Sequence, residues 1–271
     1  MSFICFNGHI IKQQQLAINT SDEAWRWGRG FFESGRWVNK IWALAKYHHQ
    51  RIQRTAAALH FSLPVTAAHL ESKVTETVAA NGLQAGARIR IQFWPDEKNR
   101  LSYCIETTPV QNLKFEWPVE GKSVAVYELF IKCADGFSGL KLCSYAPYLQ
   151  ARRWAQAQGF DEAILCNSAG RMCEGAHTNI FIFQNNAWVT PPLSEAPVAG
   201  ICRAYILAEA AAYGIRVQEF PLTRTHLKEA EEVILTNAVQ GIQWVQEWDG
   251  HIYTCNEAKK LHTLLFEPLN A

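Results

Sequence analysis

The tightest constraint in this chain is a series of short apolar segments broken by turn residues. Residues 163–167, 171–174, 179–183 and 187–190 are such segments, with Ser168-Ala169-Gly170 and Asn185-Asn186 between them. Each is too short for a helix, and the breaks carry residues that tolerate tight turns, so the region predicts an antiparallel strand meander. Two helices interrupt it. Residues 147–158 end before Gly159 and residues 201–213 end before Gly214, where glycine takes the left-handed cap without a Cβ clash. A last helix at 256–266 reads as packing.

The first half has a different pattern. A hairpin start is followed by a strand around Phe31-Phe32-Glu33-Ser34-Gly35-Arg36-Trp37-Val38, two helices and a further strand. Residues 42–60 keep Ile52, Ala56 and Leu59 on one face, and Ala87-Arg88-Ile89-Arg90-Ile91-Gln92-Phe93 alternates as a half-buried strand does. The stretch 109–121, with Trp117-Pro118, is poor in apolar repeats. The expected fold class is therefore α+β (mixed α/β). A smaller N-terminal α/β domain at 1–112 and a linker at 113–121 precede a larger strand-rich domain at 122–271.

Composition removes several classes of function. Lys plus Arg (26) nearly balances Asp plus Glu (25), without a basic block, so neither nucleic acid nor an anionic membrane is an expected partner. A small-molecule enzyme fits better. No apolar run approaches the roughly 20 residues of a spanning helix, and no secretory leader pattern opens the sequence, so a cytoplasmic protein is expected. Eight cysteines without a Cys-x-x-Cys pair or a His/Cys cluster predict reduced, mostly buried thiols and no metal site.

Three features carry chemistry. Lys141 stands in Gly139-Leu140-Lys141-Leu142-Cys143-Ser144-Tyr145, Glu174 follows thirty-three residues later, and Gly200-Ile201-Cys202-Arg203 opens a helix. A lysine that can form an imine, a carboxylate, and a helix N-terminus able to hold a phosphate are the parts a pyridoxal 5'-phosphate (PLP) site requires. Each has a bland alternative: a solvated lysine, a strand-end glutamate facing water, an ordinary helix start. Lys132, in Phe130-Ile131-Lys132-Cys133, rivals Lys141 but lacks the tyrosine and amphipathic helix downstream. Gly28-Arg29-Gly30 is no dinucleotide motif, because no strand-to-helix unit with a following acidic residue accompanies it.

Taken in order along residues 6–245, these motifs resemble the class IV aminotransferases, the fold-type IV PLP enzymes. The resemblance implies that Lys141 is both the imine lysine and the general base, and that Glu174, in Glu174-Gly175-Ala176-His177-Thr178-Asn179-Ile180-Phe181, holds the pyridine nitrogen. It sets Tyr145 beside the cofactor's phenolic oxygen. Arg51, in His48-His49-Gln50-Arg51, and the amides of Ile201 and Cys202 would meet the phosphate, with Asn237 and Ala238 as a third element. Cys202 replaces the usual threonine and Ala238 the usual serine or threonine, which thins the phosphate cup. Trp27-Gly28-Arg29-Gly30-Phe31-Phe32-Glu33-Ser34-Gly35-Arg36 matches a further family motif with Trp for Tyr, Arg for Asp and Ser for Thr. Trp27, Arg29 and Arg90 are the substrate-binding candidates, and Trp94 is a second tryptophan of interest.

The family's main activities are branched-chain aminotransferase, D-amino acid aminotransferase and 4-amino-4-deoxychorismate lyase. The short Lys141-to-Tyr145 spacing, Thr236-Asn237 and Ser34, placed to protonate a departing pyruvate unit, favour the lyase and folate synthesis. An aminotransferase acting on a D-amino acid or a branched-chain amino acid is the alternative, since all three share their early steps. A PLP-binding homologue without turnover is the reading from another class. A small-molecule amino substrate and a homodimer complete the expectations.

Overall fold

The structure, a computed structural model, describes residues 2–96 and 98–271. Met1 and Glu97 lie outside the described residues. The chain forms two compact units. One comprises residues up to Lys114, Leu140–Ser144 and Leu269–Ala271, and the other comprises Phe115–Gly139 and Tyr145–Pro268.

The first unit contains β1 (Phe3–Phe6), β2 (His9–Lys12), α1 (Glu23–Trp27), β3 (Phe31–Val38), β4 (Ile41–Trp42), α2 (Ala45–Ala58), α3 (Ala67–Ala80), β5 (Ala87–Pro95) and β6 (Leu101–Thr108). Its sheet runs β2-β1-β6-β5-β3-β4, and every pairing is antiparallel. Alternation in β5 buries Ala87, Ile89, Ile91 and Phe93 completely. Against them α3 packs Leu70, Val74 and Val78, spaced one turn apart, and full burial of each large side chain contributes about 1.5–3 kcal/mol. In α2 the inward stripe is His48, Arg51, Ile52, Thr55 and Ala56, so three polar residues sit in the buried helical face.

The second unit contains β7 (Lys122–Lys132), α4 (Ala146–Ala157), β8 (Glu162–Asn167), β9 (Met172–Gly175), β10 (Asn179–Gln184), β11 (Ala187–Thr190), α5 (Ile201–Glu209), β12 (Val217–Glu219), α6 (Arg224–Glu229), β13 (Glu232–Asn237), β14 (Gly241–Trp248), β15 (His251–Ile252) and α7 (Asn256–Leu265). The expected strands form, but not as a continuous meander. β8 pairs β9 and β10 pairs β11 as hairpins, while the sheet path runs β12-β11-β10-β13-β14-β7-β8-β9. The two hairpins therefore stand apart along that path, with β13, β14 and β7 inserted between them. Parallel pairing also enters, at β7–β8, β7–β14 and β11–β12. The fold is mixed α and β, as expected. All eight cysteines are free thiols, and no helix among the described residues is long and apolar enough to cross a membrane.

Candidate active site

In the first unit Leu140–Ser144 lies along the start of β3. Phe32 N–H donates to the Lys141 carbonyl at 3.0 Å, Cys143 N–H donates to Gly30 O at 2.9 Å, and Phe31 bridges Leu142. Lys141 is thereby fixed by its backbone, and its Nζ lies 4.8 Å from the centre of the buried Phe32 ring. The Arg90 guanidinium stacks on the same ring at 4.1 Å. Ser34 pairs directly with Arg90 across β3 and β5, so it shares the face that carries Phe32 and Arg90. Lys141, Phe32, Arg90 and Ser34 thus form one cluster. Next to Lys141, burial pushes the Cys143 thiol up to about 11 against the pull of Arg90, and it stays protonated near neutral pH.

The opposite face of β3 carries Glu33, because successive residues of a strand point to opposite sides. Arg51 donates to Glu33 through Nε at 2.8 Å and Nη2 at 2.5 Å, and the His48 ring bonds the same carboxylate through Nδ1 at 2.6 Å. Burial alone would raise the Glu33 carboxyl, but the Arg51 charge and the bonds from His48 and Arg51 outweigh it and hold it at about 2. Burial also lowers His48, against the pull of Glu33, so it serves as a neutral donor. Gly35 leaves room here: a Cβ would meet Trp42 Nε1 at 2.4 Å and His48 Nε2 at 2.9 Å. Arg51 is accordingly committed to Glu33 by two of its nitrogens. Arg29 pairs with Glu23 and lies 4.9 Å from the Phe61 ring centre, Trp27 is 74 % exposed, and Trp94 is a buried core residue stacked on Phe6.

In the second unit Glu174, at the end of β9, is 3 % exposed. Its Oε1 accepts from Lys132 Nζ and from the Tyr148 hydroxyl at 3.3 Å, and its Oε2 accepts from Val198 N–H at 2.9 Å. The Tyr145 hydroxyl donates to Ala176 O at 2.7 Å, and its ring stacks on Tyr148 at 4.6 Å. Burial, reinforced by the Glu174 charge, pushes both phenols well above their ordinary range. Lys132, met in the sequence only as a rival to Lys141, is thus the ion-pair partner of Glu174.

The spacing between Glu174 and Asn179 has a mechanical meaning. Glu174 takes the Val198 N–H, while Asn179 Nδ2 donates to the Val198 carbonyl at 2.9 Å, so both residues grip the loop entering α5. Gly200 follows and lies so close that a Cβ would sit 1.7 Å from Asn179 Oδ1. The helix then starts at buried Ile201 and Cys202, with no side-chain cap supplied by Gly200. Thr236 pairs directly with Asn179 across β13 and β10, and among the described residues its buried Oγ1 lacks a hydrogen-bond partner. Asn237 is occupied as a turn residue, accepting from Val239 N–H at 3.0 Å and Gln240 N–H at 2.8 Å, with half-buried Ala238 beside it.

These features fit PLP. An orphaned hydroxyl beside a helix start that only glycine can occupy suits a phosphate, and a buried carboxylate suits a protonated ring nitrogen. Sequence reasoning named Thr236 within Thr236-Asn237-Ala238 but assigned the phosphate to Asn237 and Ala238, although the Thr236 hydroxyl at a strand end was the available signal. It also missed Tyr148, one helical turn beyond Tyr145, and Phe32, the ring shared by Lys141 and Arg90.

The amino-transferase class IV family model matches residues 30–248. A Methanocaldococcus jannaschii protein provisionally named a branched-chain-amino-acid aminotransferase is 28 % identical, with 92 % of this chain and 88 % of that protein covered. D-alanine aminotransferase of Bacillus licheniformis is 23 % identical over 91 % of this chain and 88 % of its own length. Among solved structures, the branched-chain aminotransferase of Thermoproteus uzoniensis with norvaline superposes with a TM-score of 0.88 at 26 % identity, covering 97 % of this chain and 93 % of that one. A Legionella pneumophila structure provisionally named 4-amino-4-deoxychorismate lyase gives 0.85 at 22 % identity, covering 93 % and 96 %, which shows the shared fold alone.

Proposed function

The chain belongs to the class IV aminotransferases and uses PLP, and from that premise we propose that it moves an amino group between a small aliphatic amino acid and a 2-oxo acid. The carrying observation is the shared stacking of Lys141 and Arg90 on Phe32, which sets a carboxylate-binding cation beside the reactive amine. Relatives named for branched-chain amino acids and D-alanine support an aliphatic side chain, and support transamination more strongly than the lyase reaction expected from the Lys141-to-Tyr145 spacing.

When bound, PLP supplies an aldehyde carbon that accepts amines and a ring that withdraws electrons from the substrate's Cα. Lys141 would hold the cofactor and would move the Cα proton of the substrate as general base and acid. Glu174 would keep a proton on the ring nitrogen. The first turn of α5 and the Thr236 hydroxyl would receive the phosphate. Arg90 would receive the substrate carboxylate, with the buried Phe32 ring packed against both it and the Lys141 amine.

The lyase is a second reading because Ser34 shares the Lys141 face and can serve as an acid there. The test incubates PLP-loaded protein separately with L-leucine, L-valine or D-alanine plus 2-oxoglutarate, and with 4-amino-4-deoxychorismate. New 2-oxo acid and glutamate, absent with Lys141→Ala, support the aminotransferase. p-Aminobenzoate and pyruvate without transamination would replace it with the lyase.

A further inference from the structure

We propose that Lys132 is a positioning residue that sets how firmly Glu174 holds the proton of the cofactor's ring nitrogen. The inference rests on the reading of Glu174 as the ring-nitrogen partner. Lys132 ends β7, where Leu129 is 84 % and Ile131 58 % exposed, yet Lys132 itself is 3 % exposed. Two aliphatic side chains stay in water while a cation is buried, the reverse of what hydrophobicity dictates. Burying an ammonium is unfavourable unless it is paired, and its bonded partner is Glu174 Oε1. The irregular register of β7 against β8 between Tyr127 and Ile131 aims the lysine inward.

An ionised carboxylate offers about four lone-pair sites. Lys132 and Tyr148 share Oε1 and Val198 N–H takes one site on Oε2, which leaves Oε2 to meet a further donor. A cation bonded to one oxygen draws negative charge from the other and repels a proton placed there, so Lys132 weakens the grip of Glu174 on the ring. The titratable groups acting on this pair are Tyr145, Tyr148 and Cys173, with Glu162 and Arg152 acting on Tyr145, and Cys166 and Glu195, the latter paired with Arg171, acting on Cys173. Burial keeps both tyrosines neutral and pushes Cys173 to about 12, so near neutral pH Lys132 is the adjustable charge.

The visible absorption of the PLP-loaded holoenzyme, titrated with pH, tests this independently of turnover. Borohydride reduction and mass analysis confirm in each variant that PLP is attached to Lys141. Lys132→Met and Lys132→Gln should move the transition upward by on the order of one pH unit, and Lys132→Arg should return it close to wild type. If Lys132→Met does not fold, Lys132→Gln, which keeps a donor without the charge, decides. Transitions in both neutral variants at or below the wild-type pH, with Glu174→Gln displaced, overturn the role of Lys132. A Glu174→Gln profile that coincides with wild type overturns instead the reading of Glu174 on which this rests.

Discussion

Glu33 and Glu174 are both almost fully buried and both face a cation, yet they are bound in ways that suit different tasks. The Arg51 fork takes both oxygens of Glu33, and His48 adds a third bond. Lys132 is a point charge on one oxygen of Glu174, which leaves the other with a backbone donor and spare capacity. A guanidinium closes a carboxylate, whereas an ammonium leaves part of it open to a third party. The first arrangement fastens α2 to β3, and the second can serve a reaction.

The largest expected effect on this contrast is Arg51→Ala, which strands a buried charge and should destabilise the first unit by about 3–5 kcal/mol in urea unfolding. A loss below about 1 kcal/mol would show that Arg51 is no structural partner. Acid comes next. Glu33 is lowered from 4.5 to about 2, so its contribution, on the order of 3 kcal/mol, is whole above pH 4.5 and is lost as pH falls toward 2. Lowered His48 acts in the same sense, with its loss beginning below pH 6.5. Hydrogen exchange at Phe31–Val38 and Ala45–Ala58 should accelerate on that schedule, and Glu33→Gln should remove the step below pH 4.5. Glu174→Gln, which leaves the Lys132 ammonium without its carboxylate, should lower the unfolding midpoint and also reduce kcat on the order of a hundredfold in protein that still carries PLP on Lys141; an unchanged kcat in that protein would make Glu174 a structural carboxylate alone. The smallest effect is Thr236→Val, which removes one neutral hydroxyl bond of about 1 kcal/mol and should weaken PLP binding about fivefold by equilibrium dialysis.

Much of the local structure was legible in the sequence. Gly159 marked the end of the helix before it, and Gly214 closes the turn after α5 with φ of +72°. The four strand segments were readable from their turns, but their neighbours were not. β10 pairs with β13, some fifty residues away, and no local pattern encodes that choice. Residues 101–108 form the central strand β6 without having been distinguished, although Leu101, Tyr103 and Ile105 are buried in alternation. Lys141 and Glu174 stood out through motif spacing. Lys132 did not, because its inward orientation follows from an irregularity in β7 that alternation cannot anticipate.

Val198 gives the second unit a built-in gauge. One peptide loop is held at its N–H by Glu174 and at its carbonyl by Asn179, directly ahead of the helix start at Gly200. The point proposed to read a heterocycle and the point proposed to read an anion are therefore set a fixed interval apart, like the jaws of a caliper. A ring without its phosphate, or a phosphate on a shorter scaffold, could fill one jaw but not both.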